Sequence, residues 1–213
     1  QDYTRALWAF AGRFGAKFER GDVRELRPFE GGASVDLKDG RRLSADFVIN
    51  CAGAWSHRLA ATIGEIMPLE TERGYNTMLP LDAFNAKRMI IFGEDAFVLT
   101  PLSNGVRIGG AVELAGLNRP PNYKRSAAML AKAKSYLPGL KTDGGTPWMG
   151  YRPSLPDTLP AIGRSKSSAH IIHAFGHGHL GLTQSAATGR LLRDLVSGQT
   201  PAVDLSPFNP HRF

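Results

Sequence analysis

The sequence predicts an α/β framework in two pieces, one at each end of the chain, with an antiparallel α+β unit inserted between them. Three observations predict it. Residues 47–53 (FVINCAG) form a near-continuous apolar run ending in small residues, the pattern of a strand buried on both faces of a parallel sheet, and 55–64 then reads as a helix. Residues 171–175 (IIHAF) repeat that order, with a glycine-rich turn followed by a helix over 183–196 that Gly198 ends. Between these units, from about Pro68 to Trp148, the chain shows short strand signals separated by turns, the style of an antiparallel sheet. The segments are therefore 1–66, 67–148 and 149–213, the first and last sharing one sheet.

The elements follow in order. Tyr3, Leu7, Phe10 and Phe14 recur at helical spacing, with Asp2 or Thr4 to cap the helix and Gly15 to end it. Residues 23–29 read as a strand, 33–37 alternate as a second, and Asp39-Gly40 signals a hairpin turn into a return strand over 42–46. In the insert, 75–79, 89–92, 97–101 and 106–112 read as strands, and Asn104-Gly105 predicts a type I′ turn between the last two. Tyr123, Ala127, Leu130, Lys134 and Leu137 share one helical face, stopped by Pro138-Gly139.

Composition narrows the function. The 213 residues include one cysteine, Cys51, which excludes an internal disulfide and a multi-cysteine zinc site and suits a reducing compartment. Cys51 itself is expected as a small buried hydrophobe. There is no apolar run of about 18 residues and no signal-peptide pattern, so the reading is cytoplasmic. The net charge of +7 is scattered rather than interleaved with stacking aromatics, which argues against nucleic acid. A basic surface suits small acidic substrates and can also meet anionic lipid on the inner face of a membrane.

Two motifs carry chemistry. Gly176-His177-Gly178-His179-Leu180-Gly181 spells the spacing of a dinucleotide-binding turn, but only 32 residues follow Gly181, and Pro201, Pro207 and Pro210 interrupt them. No second parallel strand or strand-borne ribose acid is available, so the context that such a turn needs is missing. What remains is a backbone that a ligand can approach, ahead of a helix N-terminus that favours negative charge. A close strand–helix crossing without any ligand is the alternative. The second motif is 150–163 (GYRPSLPDTLPAIG), where Pro153, Pro156 and Pro160 stiffen the chain around Arg152 and its guanidinium fork suits a carboxylate. An ordinary surface arginine is the alternative.

The pattern G-Y-R-P-x-x-P-D-x-x-P-x-I-G, then A-x-G-H-G-x-x-G-x-T and a helix ending L-L-x-D-L-x-S-G-x-x-P, resembles the C-terminal part of the FAD-dependent D-amino-acid dehydrogenase/glycine oxidase family. The earlier A-D-F-V-I-N-C-A-G-A-W-S and R-G-Y are similar to it too. The resemblance implies a partial FAD-binding, Rossmann-like domain made by the first and last thirds, and an inserted substrate domain. It implies oxidation of the Cα–N bond of an amino or imino acid by hydride transfer to flavin. It puts the substrate carboxylate on Arg152 and Tyr75 near the substrate as a donor, a packed strand residue being the other reading of Tyr75. Along the flavin edge it puts Gly176, His177, Gly178, Leu180, Gly181, Leu182 and Thr183. Cys51, Ala52, Gly53 and Trp55 would approach the phosphates or ribose, and Val23 the adenine. His177 and His179 are available as bases, although a glycine-flanked histidine in a turn is more often tolerated than catalytic.

The family's N-terminal G-x-G-x-x-G unit is not in the sequence. The resemblance implies on the order of 150 residues ahead of Gln1, a missing FAD-binding segment without which this chain is expected to hold FAD weakly or not at all. The electron acceptor is left open among oxygen, a quinone and a carrier. Two other readings stay open: a non-catalytic binding or partner fragment that keeps the substrate domain, and, more weakly, an NAD-binding protein.

Overall fold

A computed structural model describes residues 2–213. Three sheets and four α-helices make up the described fold. Strands β1 (Val23–Phe29), β2 (Gly32–Leu37) and β3 (Arg42–Ala45) form an antiparallel meander. Its turn at Asp39-Gly40 uses a left-handed Gly40 (φ 90°). Asp36 on β2 is nearly buried and accepts hydrogen bonds from Arg27 and Arg42 at 2.6 Å each, which hold its carboxyl far below the usual range.

The second sheet joins the two ends of the chain. Strand β4 (Val48–Asn50) runs parallel to β11 (Ile171–Phe175), which pairs antiparallel with β10 (Ala161–Arg164). All five residues of β11 are buried, as the run IIHAF predicts. β4 is shorter and less buried than expected: it holds three residues, and Ile49 is 39% exposed because β4 is an edge strand of this sheet. The Gly53–Trp55 turn and helix α2 (Ser56–Ala61) follow it. Leu26, Ala33 and Ile171 tie the meander to this sheet, with Val48, Leu59 and Ile63 against them.

The third sheet has the order β6-β7-β8-β5-β9, every neighbour antiparallel: β5 (Glu70–Leu79), β6 (Ile90–Phe92), β7 (Phe97–Leu102), β8 (Gly105–Leu114) and β9 (Thr146–Ser154). Helix α3 (Lys124–Tyr136) covers one face, seating Met129 and Ala133 on Leu79, Phe97, Leu99, Val106 and Ile108. The β7–β8 hairpin is closed by the pair Leu102–Gly105, so its loop is Ser103-Asn104, and neither residue has a positive φ. The expected type I′ turn is therefore not formed, because I′ requires φ > 0 at both loop positions. β9 and β10 fall in and beside the proline-rich stretch, for which the sequence patterning assigns no strand. Strand pairing tolerates Pro147 and Pro153 because β9 is an edge strand. β9 also runs across the 148/149 boundary.

Helix α1 (Asp2–Gly12) has the expected apolar spacing, yet none of its residues is buried, and Tyr3, Leu7 and Phe10 are exposed. Helix α4 (Gly181–Val196) ends at the expected Gly198, which is left-handed (φ 68°). No helix among the described residues is long and apolar enough to cross a membrane.

Candidate functional site

Side chains alternate across a strand, so the third sheet has a face under α3 and an open face. The register of β5 against β9 is unbroken, with Glu72 opposite Arg152 and Gly74 opposite Gly150. The Arg152 guanidinium lies flat over Gly74, where an ideal Cβ would sit 2.7 Å from its Nη2. The Trp148 indole lies over Gly150 in the same manner, 2.0 Å from an ideal Cβ. Glycine at these two positions is what admits the two side chains. Arg152 is half-buried and has no hydrogen-bond or ion-pair partner among the described residues. A guanidinium held in place and left unpaired is a ready anchor for a carboxylate.

The end of β9 meets the glycine-rich turn. Pro153 accepts a hydrogen bond from the Gly178 N–H at 2.7 Å, and Ser154 bridges to His177. Gly176 and Gly178 are both left-handed (φ 88° and 52°). Leu180 then caps α4, its carbonyl accepting from Gln184 N–H, while the N–H groups of Gly181, Leu182 and Thr183 have no acceptor among the described residues. These are the orphan donors of a helix start, with its partial positive charge. Leu180, Leu182 and Thr183 are exposed beside them. The His177 ring turns toward α4, its Nε2 3.0 Å from Thr188 Oγ1, and burial pushes its pKa down. It is therefore neutral and directed away from the open face. His179 is exposed.

The meander and the turn after β4 place Val23, Ala52 and Trp55 on a cleft of about 680 Å³ that Arg24, Lys38 and Arg58 also line, while Cys51 and Gly53 lie in the turn beside it. Three basic side chains and Asp22 stand on its wall, Lys38 paired with Asp22 at 3.6 Å and Arg24 with Asp36 at 3.5 Å, and the net positive charge suits an anionic ligand. The C-A-G-A-W turn that forms one side is built on Asn50, whose Nδ2 donates to the Ser56 carbonyl at 3.0 Å and whose Oδ1 accepts from Ala52 N–H at 3.4 Å. Beneath it, His173 Nδ1 lies 3.3 Å from Asn50 Nδ2 and its Nε2 3.0 Å from Glu65 Oε2. Since Asn50 donates, Nδ1 accepts and the proton sits on Nε2. Sequence reasoning missed this fully buried network, because its members lie far apart in the chain. Gly53 is left-handed (φ 56°) and half-buried. Cys51 is exposed rather than buried, because it follows the last residue of a short edge strand. Trp55 packs edge-on to Tyr151, ring centroids 5.3 Å apart, and so connects this cleft to the strand that carries Arg152.

Tyr75 does not join Arg152. It lies on the opposite face of β5, 1% exposed, and its hydroxyl donates to Glu113 Oε2 at 2.6 Å while accepting from Asn122 N–H at 3.0 Å. With both functions of the hydroxyl used, Tyr75 is a packed strand residue and not a free donor. Fully buried Arg73 shares that face, bonded to the carbonyls of Gly116, Arg119 and Pro120.

The model of the DAO family, FAD-dependent oxidoreductases, matches residues 1–195. This chain belongs to that family. Among curated proteins it is 38% identical to a D-amino-acid oxidase of Bradyrhizobium diazoefficiens, over 99% of this chain and 51% of that protein. It is 32% identical to a D-amino acid dehydrogenase of Xanthobacter autotrophicus, again over 99% of this chain and 51% of the relative. The chain thus spans about half the length of the curated relatives it matches. Among solved structures it superposes on glycine oxidase from Geobacillus kaustophilus with a TM-score of 0.79 at 25% identity, covering 92% of this chain and 53% of that one. The L-proline dehydrogenase of P. horikoshii shares the fold at a TM-score of 0.80 and 24% identity, over 99% of this chain and 59% of that one.

Proposed function

We propose that the intact polypeptide containing this chain oxidises the Cα–N bond of a small amino or imino acid, a D-amino acid or glycine being the first class to test. The observation that carries the reading is the unpaired Arg152 guanidinium seated on Gly74, on a strand hydrogen-bonded at its end to the glycine-rich turn. The named relatives, a D-amino-acid oxidase and D-amino acid dehydrogenases, support it.

The residues present fit FAD. The basic cleft with Val23, Ala52 and Trp55 suits the phosphate and nucleotide end, with Cys51 and Gly53 in the turn beside it. The free N–H groups of Gly181, Leu182 and Thr183 suit an electron-rich ring edge, with Gly176, His177, Gly178 and Leu180 shaping the turn. FAD, when bound, supplies the two-electron acceptor. In this reading 1–66 and 149–213 hold the cofactor, while 67–148 together with β9 holds the substrate.

The chain's own part is binding and orientation. Arg152 pairs bidentately with the substrate carboxylate and fixes the Cα, with the exposed Trp148 indole on the same face of the sheet. No side chain has to remove a proton if the amine arrives neutral, which agrees with His177 being turned toward Thr188.

The test uses the FAD-loaded intact polypeptide without oxygen. Bleaching of its flavin absorbance by D-alanine, D-proline or glycine is the expected result, and Arg152→Ala should raise the half-saturating concentration at least about tenfold. No bleaching by any primary or secondary amino acid would instead favour a non-catalytic binding fragment. Readmitting air then separates oxygen from a quinone or carrier as the acceptor.

A further inference from the structure

The open face of the third sheet carries a second cation that the reading above does not use. Arg107 on β8 sits opposite Met78 on β5 and Thr100 on β7. Its side chain folds back along the strand over Gly109, where an ideal Cβ would be 3.5 Å from its Nε and 3.7 Å from its Nη2. Gly109 is opposite Asn76, and an ideal Cβ there would be 3.3 Å from the Asn76 Cβ, so both lie on the face that holds Gly74 and Arg152. Arg107, like Arg152, has no ion-pair or hydrogen-bond partner among the described residues. The two unpaired guanidinium groups therefore lie on one surface, Arg152 fixed in the hollow over Gly74 and Arg107 exposed, in ordinary contact range of Gly109. Gly74 and Gly109 are one strand apart and two residues along, about 8 Å by strand geometry.

Two unpaired guanidinium groups are more than a single α-carboxylate needs. A four- or five-carbon dicarboxylic acid, built from C–C bonds of about 1.5 Å, separates its carboxyl carbons by roughly 4–5 Å. With N–O contacts of about 2.8 Å at each end, such a molecule fits between guanidinium groups lying over Gly74 and Gly109. A neutral side chain would leave Arg107 solvated and unused, and a basic one would be repelled by it.

We infer that Arg107 is a specificity-determining residue that binds a second, distal carboxylate, so that an acidic amino acid or a dicarboxylic imino acid is preferred over a neutral one. The inference rests on the assignment of Arg152 to the α-carboxylate, and the test separates the two. Glutarate and butyrate, neither of which carries an amine to be oxidised, are titrated into the FAD-loaded intact polypeptide, with binding read from the shift of the flavin spectrum and from calorimetry. The wild type is expected to bind glutarate at least about tenfold more tightly than butyrate. Arg107→Gln should collapse that ratio to near one, and Arg107→Lys, which keeps the charge, should restore part of it. In kinetics, kcat/KM for D-glutamate relative to D-alanine should fall about tenfold in Arg107→Gln. A glutarate-to-butyrate ratio equal in wild type and Arg107→Gln would overturn the inference and leave Arg152 untouched. Butyrate binding that is indifferent to Arg152→Ala would overturn the carboxylate assignment, and this inference with it.

Discussion

Replacing Gly74 by alanine isolates the seat of Arg152 from the fold that supports it. An ideal Cβ at this position lies 2.7 Å from Arg152 Nη2 and 2.8 Å from its Cζ and Nε. Ordinary carbon contacts need about 3.5–4 Å, so the guanidinium must move by roughly 1 Å. The atoms met are the far end of a flexible side chain, and Gly74 does not have a left-handed φ, so the backbone need not yield. Alanine in a strand interior gains about 0.5–1 kcal/mol over glycine, and stability should hold or rise. Carboxylate binding should suffer, because a bidentate pair depends on the guanidinium's placement. Losing a hydrogen bond to a charged group costs about 1.5–3 kcal/mol, which is roughly 10- to 100-fold in affinity. The assay is a pair of measurements on Gly74→Ala in the intact flavoprotein: urea denaturation for stability, and butyrate titration followed by the flavin spectrum. A butyrate affinity within twofold of wild type would refute the reasoning, since it would mean that the glycine hollow does not set the position of Arg152.

Three further perturbations probe the rest of the structure. Tyr75→Phe removes the hydroxyl shared by Glu113 and Asn122 and should cost about 1–3 kcal/mol in urea denaturation, with the substrate KM unchanged within twofold; a large rise in KM with normal stability would return Tyr75 to the site. Burial pushes the His173 pKa down despite the nearby Glu65 carboxylate, so as pH falls below about 6.5 the unfolded chain takes up the proton first, and stability declines by up to about 1.4 kcal/mol per pH unit. His57 and His177 are shifted the same way and add to the decline, whereas Glu65, held below its ordinary 4.5, contributes only at lower pH. His173→Gln should therefore flatten, without abolishing, the fall in urea midpoint between pH 6.5 and 5, and an unchanged slope would count against the buried neutral histidine. Ile108→Ala, at a fully buried position between β8 and α3, should destabilise by about 2–5 kcal/mol, and a loss below 1 kcal/mol would argue against that core.

Much of the architecture was legible because it is local. Four apolar residues around His173 in IIHAF, a glycine-rich turn and a 3.6-residue period downstream specify a strand, a turn and a helix wherever they occur. Arg152 could be singled out by the same means, as an arginine in a stiffened stretch. Turn chemistry was legible at Asp39-Gly40 and misleading at Asn104-Gly105, where the closing pair of the hairpin shifted the loop back by one residue. The amphipathic spacing of α1 identified a helix and its apolar side, but periodicity carries no information about what that side meets, and no residue of α1 is buried.

The sequence by itself determined most of the elements in order, β9 and β10 excepted, and the return of the last third to the sheet of the first. Tertiary structure alone decided the pairing of β9 with β5. That register puts Gly74 under Arg152 and Gly150 under Trp148, brings Gly178 to Pro153, and sends Tyr75 to the far face with Glu113. The physical reason is that strand alternation has a period of two, so a shift of one residue in the register would exchange the two faces. The nine residues of β9 do not by themselves fix that register; pairing with β5, from the other side of the insert, does.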